Sequence, residues 1–347
     1  MKSIIEASQA MAHEKSTGSV SSLTNPRQST PHYVVGADIG GTSLRLALAD
    51  GEGTILARWS ASTADTRDAE AVVGRIRQGV DALLSEGSLK PESLSAIAAG
   101  APGVTDVDRG IVIATSYLMG WRDIPLRQML EAEFGVPAAV DNDVNMAAIG
   151  EQRAGVAQGA GDFVFLALGT GLGAGLVLNG ELHRGSIWTA GEIGYMLVPG
   201  TNEAPAKRGE PGGLEAMVGG EGIKSLWKSR WSSDLTSLPR EATPTQIFDH
   251  ALLSNPLAQE VLQLVARTLG YAIYNISLIL NSPLFVLGGS VGVHPALGDA
   301  TRAVLHERRE QVQPVLVRSG LGKDAQLIGA IFLALQTASR KEALPSS

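Results

Sequence analysis

The sequence predicts an α/β protein with two similar lobes, and three observations carry that prediction. From residue 33 onward, apolar runs of strand length alternate with segments whose apolar positions recur every three or four residues. A strand, glycine turn, strand and hairpin signal at 34–50, VVGADIGGTSLRLALAD, returns at 162–180 as DFVFLALGTGLGAGLVLNG. Val34 and Val164 stand 130 positions apart, and the Asp50-Gly51 and Asn179-Gly180 turn signals 129 apart. At 347 residues and 44% apolar, the chain is long enough for two domains with real cores.

Residues 1–32 differ in kind. Ten of them are Ser or Thr and few are large and apolar, so a mostly disordered tail is expected, with at most a frayed helix near residues 3–12. Such a tail is too short for a winged-helix DNA-binding domain. Strands are expected at 33–38, 43–49 and 54–60, a helix over 66–86, and strands at 94–99 and 110–114. PAAVDND (137–143) reads as a strand running into a turn, followed by a helix over 143–155. After the second hairpin come a long, largely buried helix over 256–281 and a buried strand, PLFVLGGSVG (283–292), that ends in glycines. A helix over 295–311, a strand at 315–318 and a closing helix over 324–340 follow.

The net charge is −7 and no lysine–arginine cluster falls on a predicted helix, which argues against nucleic acid or an anionic membrane as the main partner. A nucleotide phosphate is still compatible, because backbone amides and magnesium can supply positive charge. The absence of cysteine excludes disulfides, thiol nucleophiles and cysteine-ligated zinc. No apolar run approaches the roughly 20 residues needed to span a bilayer; the stretch around 270–290 is interrupted by Tyr274, Asn275, Asn281 and Pro283. The N-terminus lacks a charged-then-apolar secretory layout, so a cytoplasmic location is expected.

Four motifs invite chemistry. GTGLGA (169–174) has the spacing of the dinucleotide fingerprint, but that motif needs a helix next, and Gly175–Gly180 reads as strand and hairpin. GGSVG (288–292) matches the elbow of serine hydrolases, with only His294 and His306 left to complete a triad; a hydrolase is the distant alternative. Asn142-Asp143 stands where a strand becomes a helix, and on these two residues alone helix capping is the simpler role. Glu192 in AGEIGY and Glu215 in GGLEAM are, singly, ordinary solvated carboxylates. On glycine-rich segments, however, they can approach a polyhydroxylated ligand and accept its hydroxyl protons.

Eight segments occur together in order: DIGGT (38–42), GAPGVTDVDRGIV (100–112), SYLMGWRDIPL (116–126), DNDVNMAAIGE (141–151), LGTGLGAGLVLNGELHRG (168–185), AGEIGY (190–195), GGLEAMVGG (212–220) and VLGGSV (286–291). In this order and spacing they resemble the ROK (repressor, open reading frame, kinase) family of sugar kinases, within the actin-like ATPase superfamily, over about residues 33–340.

The resemblance implies a two-lobed actin-like, ribonuclease H-like fold. The small lobe would span 33–140, completed by the C-terminal helix at about 321–340, and the large lobe 141–320. It implies a hexose 6-kinase that uses ATP and Mg2+, with glucose as the first choice. Kinases of N-acetylmannosamine, N-acetylglucosamine, fructose and mannose share nearly all these residues, and the family's sugar-responsive repressors are the non-enzymatic alternative. By the same resemblance Asp143 is the general base, and Gly103, Asn142, Asp143, Glu192, Tyr195 and Glu215 meet the sugar. Gly40, Gly41, Thr42, Thr170 and Gly171 face the ATP phosphates, Gly288 and Gly289 the adenosine, and Asp38 a magnesium ion through water. The positions of the family's zinc ligands hold Tyr195, Ala206, Arg208 and Gly213, so no zinc is expected. The expected partner is a hexose, with no nucleic acid and no membrane, in a homodimer or other homo-oligomer.

Overall fold

The computed structural model describes residues 32–63, 68–115, 118, 120–207 and 210–343. The tail expected over 1–32 lies outside the described residues except for His32, as do Arg208 and residues 66–67 of the first expected helix.

Strand β1 (Tyr33–Ile39) is buried at every position but Tyr33, as suits a central strand. It pairs antiparallel with β2 (Ser43–Ala49), which pairs with the edge strand β3 (Ile55–Ser62), where half-buried and exposed residues alternate. Helix α1 (Ala69–Glu86) starts on Asp68, whose carboxylate accepts from the Ala71 amide at 2.7 Å, and buries Val72, Ile76, Val80 and Leu83 in a core shared with Leu44 and Leu46. Strand β4 (Leu94–Ala101) runs parallel to β1.

β5 (Val104–Asp106), β6 (Ile111–Ala114) and β7 (Arg122–Ile124) make a separate three-stranded sheet, of which only β6 was foreseeable: a three-residue strand has no readable alternation. Helix α2 (Leu126–Phe134) leads to β8 (Ala138–Asn142), parallel to β4, and helix α3 (Asp143–Ala154) follows without a loop.

The second hairpin comprises β9 (Phe163–Leu168) and β10 (Leu172–Leu178), with β11 (Glu181–His183) added at the edge. Then come α4 (Glu215–Val218), α5 (Gly220–Arg230), α6 (Pro244–Leu252) and the long α7 (Pro256–Leu280). β12 (Leu284–Gly288), α8 (Gly289–Gly292), α9 (Pro295–His306), β13 (Val315–Arg318) and α10 (Ala325–Ala343) end the order. Helix α9 stops five residues before the expected end, because Glu307–Gln311 has no apolar residue to bury and runs in turns instead.

The two large sheets have the same plan, β3-β2-β1-β4-β8 and β11-β10-β9-β12-β13. In each, three antiparallel strands continue into two parallel ones. The Asn179-Gly180 turn is as expected, with both residues left-handed (φ 54° and 80°). At Asp50-Gly51 the chain makes a longer loop: the left-handed residue is Gly53 (φ 87°), and the Asp50 carboxylate accepts from the amides of Glu52 and Thr54.

Helices α3 and α10 tie the sheets together. A Cβ on Gly329 would lie 1.8 Å from the Met146 carbonyl oxygen, and one on Gly150 would lie 2.2 Å from that of Ala325, so the helices cross backbone to backbone. From this crossing α10 packs Leu327, Ile331 and Ala334 on Val34, Ala47, Ala96 and Ala98 of the first sheet. Helix α3 meets the second sheet through Val144 and Ala148, against Gly173 and Gly175. Among the described residues no helix is long and apolar enough to cross a membrane.

Candidate active site

The DIGGT corner is a tight turn strapped from outside. The Gly40 amide donates to the Ser43 carbonyl at 2.8 Å, while Thr63, just past β3, donates its amide to Thr42 O and its hydroxyl to Gly40 O. This leaves Thr42 exposed and Gly41 half-buried at the tip. Asp38, at the end of β1, is only 7% exposed. Its register partner Arg45 donates to one carboxylate oxygen from Nε at 2.9 Å and Nη2 at 2.5 Å, and to the Lys323 carbonyl. Burial pushes the Asp38 carboxyl above its ordinary range, with Arg45 opposing.

The second turn is held differently. Gly169 donates to Gly171 O at 3.0 Å, and the first amides of α5 cap the turn, Gly220 to Gly169 O and Glu221 to Thr170 O. Thr170 is exposed at the tip. Gly288 and Gly289 lie against the same strand end: Gly289 is left-handed (φ 77°), and a Cβ there would sit 2.2 Å from the Leu168 carbonyl oxygen.

Between these turns α3 begins. Asn142 is its cap, Oδ1 accepting from the amides of Val144 (2.8 Å) and Asn145 (3.1 Å), while Nδ2 donates to Gly103 O at 2.9 Å. Capping therefore falls on Asn142, which keeps one amide hydrogen for a ligand. Asp143 is the first helical residue, and among the described residues its carboxylate accepts from one other residue, through the neighbouring Val144 amide. Its pKa is raised to about 7, first by burial, then by the Asp38 charge, with Glu192 adding to the rise and backbone hydrogen bonds opposing it. The strand register brings the acids together: Asp38 lies opposite Gly100, and Gly100 opposite Asp141, two residues before Asp143.

On the far side, Glu215 accepts from the Leu172 amide at 2.7 Å, fixing it to the start of β10. The turn Ile193–Tyr195 passes beside it, with a Cβ on Gly194 falling 3.5 Å from Glu215 Oε2. Glu192 precedes this turn, and its carboxyl is pushed up by loss of solvent and by Glu215. Tyr195 is 54% exposed, and its phenol is raised by partial burial and by both glutamates.

Two residues escaped the sequence reading. Asp141, 1% exposed, receives Arg184 through Nε at 2.9 Å and Nη2 at 2.6 Å, Asn145 Nδ2 at 2.9 Å and the Asn142 amide at 2.7 Å. This ion pair joins β8 to the residue after β11, so the start of α3 is fixed from both sheets. The i, i+4 spacing of Asp141 and Asn145 was the only local signal. The serine-hydrolase alternative finds no support: His294 faces Asp249 at 3.1 Å with Nε2 and caps α9 with Nδ1, and the Ser290 hydroxyl has no hydrogen bond to a histidine among the described residues.

Among the described residues no group of three or more acids or histidines could hold a metal alone. A single buried carboxylate is nevertheless the donor set that magnesium accepts when waters and phosphates complete its shell, so Asp38 fits that ion.

A family model described as "ROK family" matches residues 34–337. The chain belongs to the ROK family. It is 32% identical over 325 residues to a glucokinase of Halalkalibacterium halodurans, covering 89% of this chain and 97% of that one. A β-glucoside kinase of Listeria innocua is 28% identical, covering 88% of this chain and 98% of its own length. A ROK family glucokinase of Streptomyces griseus, crystallised with glucose and AMPPNP, superposes with a TM-score of 0.70 at 28% identity, covering 88% and 99%. The architecture of this ROK chain is that of the two-lobed actin-like ATPases.

Proposed function

We propose that this ROK chain is an ATP-dependent hexose kinase that phosphorylates the 6-hydroxyl of glucose. The observation that carries the proposal is the place of Asp143 at the start of α3, where Asn142 makes the cap and the Asp143 carboxyl, raised to about 7 by burial and then by the Asp38 charge, is left for chemistry. A carboxylate poised there can take the proton of an attacking hydroxyl at working pH. The similarity to two glucokinases, one of them seen with glucose and a nucleotide analogue, supports the choice of sugar and of ATP.

In this proposal the exposed tips at Gly40-Gly41-Thr42 and Thr170-Gly171 receive the phosphates, and Gly288-Gly289 lies along the adenosine. Asp38 would hold magnesium, and that ion would supply charge neutralisation at the phosphates. Asn142, Glu192, Tyr195, Glu215 and the Gly103 loop orient the hexose, so that positioning supplies much of the rate. A panel of hexoses with ATP, followed by ADP release, tests it: glucose should give the highest kcat/KM and yield glucose 6-phosphate. No ADP release with any hexose, or a clear preference for N-acetylmannosamine, would overturn it.

A further inference from the structure

The residues proposed to meet the sugar lie mostly on three separate segments. Gly103 follows β4, Asn142 and Asp143 stand where β8 becomes α3, and Glu192 and Tyr195 lie beyond β11. A reacting hydroxyl meets its base only when such segments keep their spacing, because a misplacement of about 1 Å can cost on the order of 10²-fold in rate.

Strand β10 is a floor shared by two of them. Its Gly173 and Gly175 face α3: a Cβ on Gly173 would fall 3.0 Å from Val144 Cγ2, and one on Gly175 would fall 2.6 Å from Ala148 Cβ. Between them Ala174 donates its amide to Gly191 O at 2.9 Å. Gly191 is left-handed (φ 96°), and a Cβ there would lie 2.0 Å from Ala174 O, so the segment leading to Glu192 is pressed onto the same strand.

A chain of polar contacts links all three segments. The Gly103 carbonyl accepts from Asn142 Nδ2 at 2.9 Å, and the Asn142 amide donates to Asp141 Oδ1 at 2.7 Å. The other Asp141 oxygen accepts from Arg184 Nε at 2.9 Å and Nη2 at 2.6 Å. The Arg184 carbonyl in turn accepts from the Ala190 amide at 3.2 Å, closing a loop that ends two residues before Glu192. Arg184 Nη1 donates to the Leu182 carbonyl at 3.4 Å, so every guanidinium nitrogen is engaged within the protein. An arginine spent in this way is built to hold protein segments together.

We propose that Arg184 is a positioning residue for the acceptor hydroxyl: the Asp141–Arg184 pair sets the spacing between the base at the start of α3 and the turn that follows Glu192. This rests on the reading of Asp143 as the base and of Glu192 as a sugar ligand. The pair acts through geometry, because two N–H groups on one carboxylate oxygen fix the plane of the guanidinium as a single ammonium cannot. The glycine turns at 40–42 and 169–171 are strapped by Thr63 and by the first amides of α5, outside this chain of contacts. The hold on the nucleotide is therefore independent of Arg184.

Arg184→Lys is the first test, since it keeps a positive charge beside the buried Asp141 and loses the two-point hold. Measured by ADP release, it should lower kcat for glucose about ten- to a hundredfold and raise KM for glucose severalfold. KM for ATP should not change, and the pH inflection near 7 should stay in place, because the charges that shift Asp143 are those of Asp38 and Glu192. Asp141→Asn should show the same split, and the double variant should fall no further than the worse single one. A role confined to folding would lower Tm and the active fraction and leave both KM values alone. That result, normal kinetics in both variants, additive losses in the double variant, an equal rise in KM for ATP or a moved inflection overturns the positioning role and leaves the glucose-kinase proposal standing. A wild type that releases no ADP with any hexose overturns both.

Discussion

The two glycine turns sit in sheets of identical strand order, yet they are built for different work. Offset by 130 residues, Asp38 corresponds to Leu168 and Arg45 to Gly175. The first turn ends in a buried carboxylate held by a guanidinium, and the second in an apolar side chain whose carbonyl is covered by Gly289. The repeated architecture thus supplies two backbone cradles, while charge was placed in only one of them. Asn142 and Asp143 show the same division at smaller scale. Asn142 spends its oxygen on capping and leaves Asp143, one residue on, without a structural duty beyond one local amide.

The largest effect should come from separating that last pair. Asp143→Asn should lower kcat about 10²–10⁴-fold, the usual worth of a general base, while the helix keeps its Asn142 cap. Stability should move the other way. The folded pKa of about 7 exceeds the unfolded value of 3.8, so the folded state holds the proton more tightly. The resulting stability is full below about pH 4 and is lost as pH rises through about 7. Removing the carboxylate abolishes that loss, so at pH 8 Asp143→Asn should be more stable by roughly 1–4 kcal/mol, read as a higher Tm. A variant with nearly normal turnover would leave Asp143 without a catalytic role.

The turns themselves can be set against each other. Asp38→Asn should reduce kcat/KM roughly 10–10³-fold with little change in Tm. Leu168→Ala, at a fully buried position, should cost about 2–5 kcal/mol of stability, with the folded fraction still turning over. Equal losses of activity in both variants would mean that the two turns share one role.

The smallest effect is expected at Tyr195. Tyr195→Phe should raise KM for glucose by the worth of one hydrogen bond, about 0.5–1.5 kcal/mol, with kcat changing less because the proposed contact is with the sugar and not with the transferred phosphate. Unchanged glucose kinetics would reduce Tyr195 to a filler of space.

The repeat, the hairpins and the strand-to-helix junction at 137–143 were legible because each rests on local pattern: apolar periodicity, Asn-Gly, and the Asn-Asp pair. The Asp141–Arg184 and Asp38–Arg45 pairs were not. The first spans 43 residues and depends on β8 and β11 approaching from different sheets. The second needs the β1–β2 register before Arg45 can be seen to face Asp38. Glu215 was expected among the site residues from the family resemblance, but its hold on the Leu172 amide is tertiary and left no trace in GGLEAM.

The central claim is that Asp143 is a base tuned by burial and, after burial, by the Asp38 charge, and the pH dependence of kcat/KM for glucose tests it most directly. Wild-type activity should rise with pH through an inflection near 7 and then level, since the active form is the carboxylate and this parameter reports the free enzyme. In Asp38→Asn the residual activity should rise at a lower pH, because a neighbouring negative charge that holds the proton on Asp143 has been removed. A flat wild-type profile between pH 5.5 and 8.5, or an inflection that stays in place in Asp38→Asn, would contradict the account.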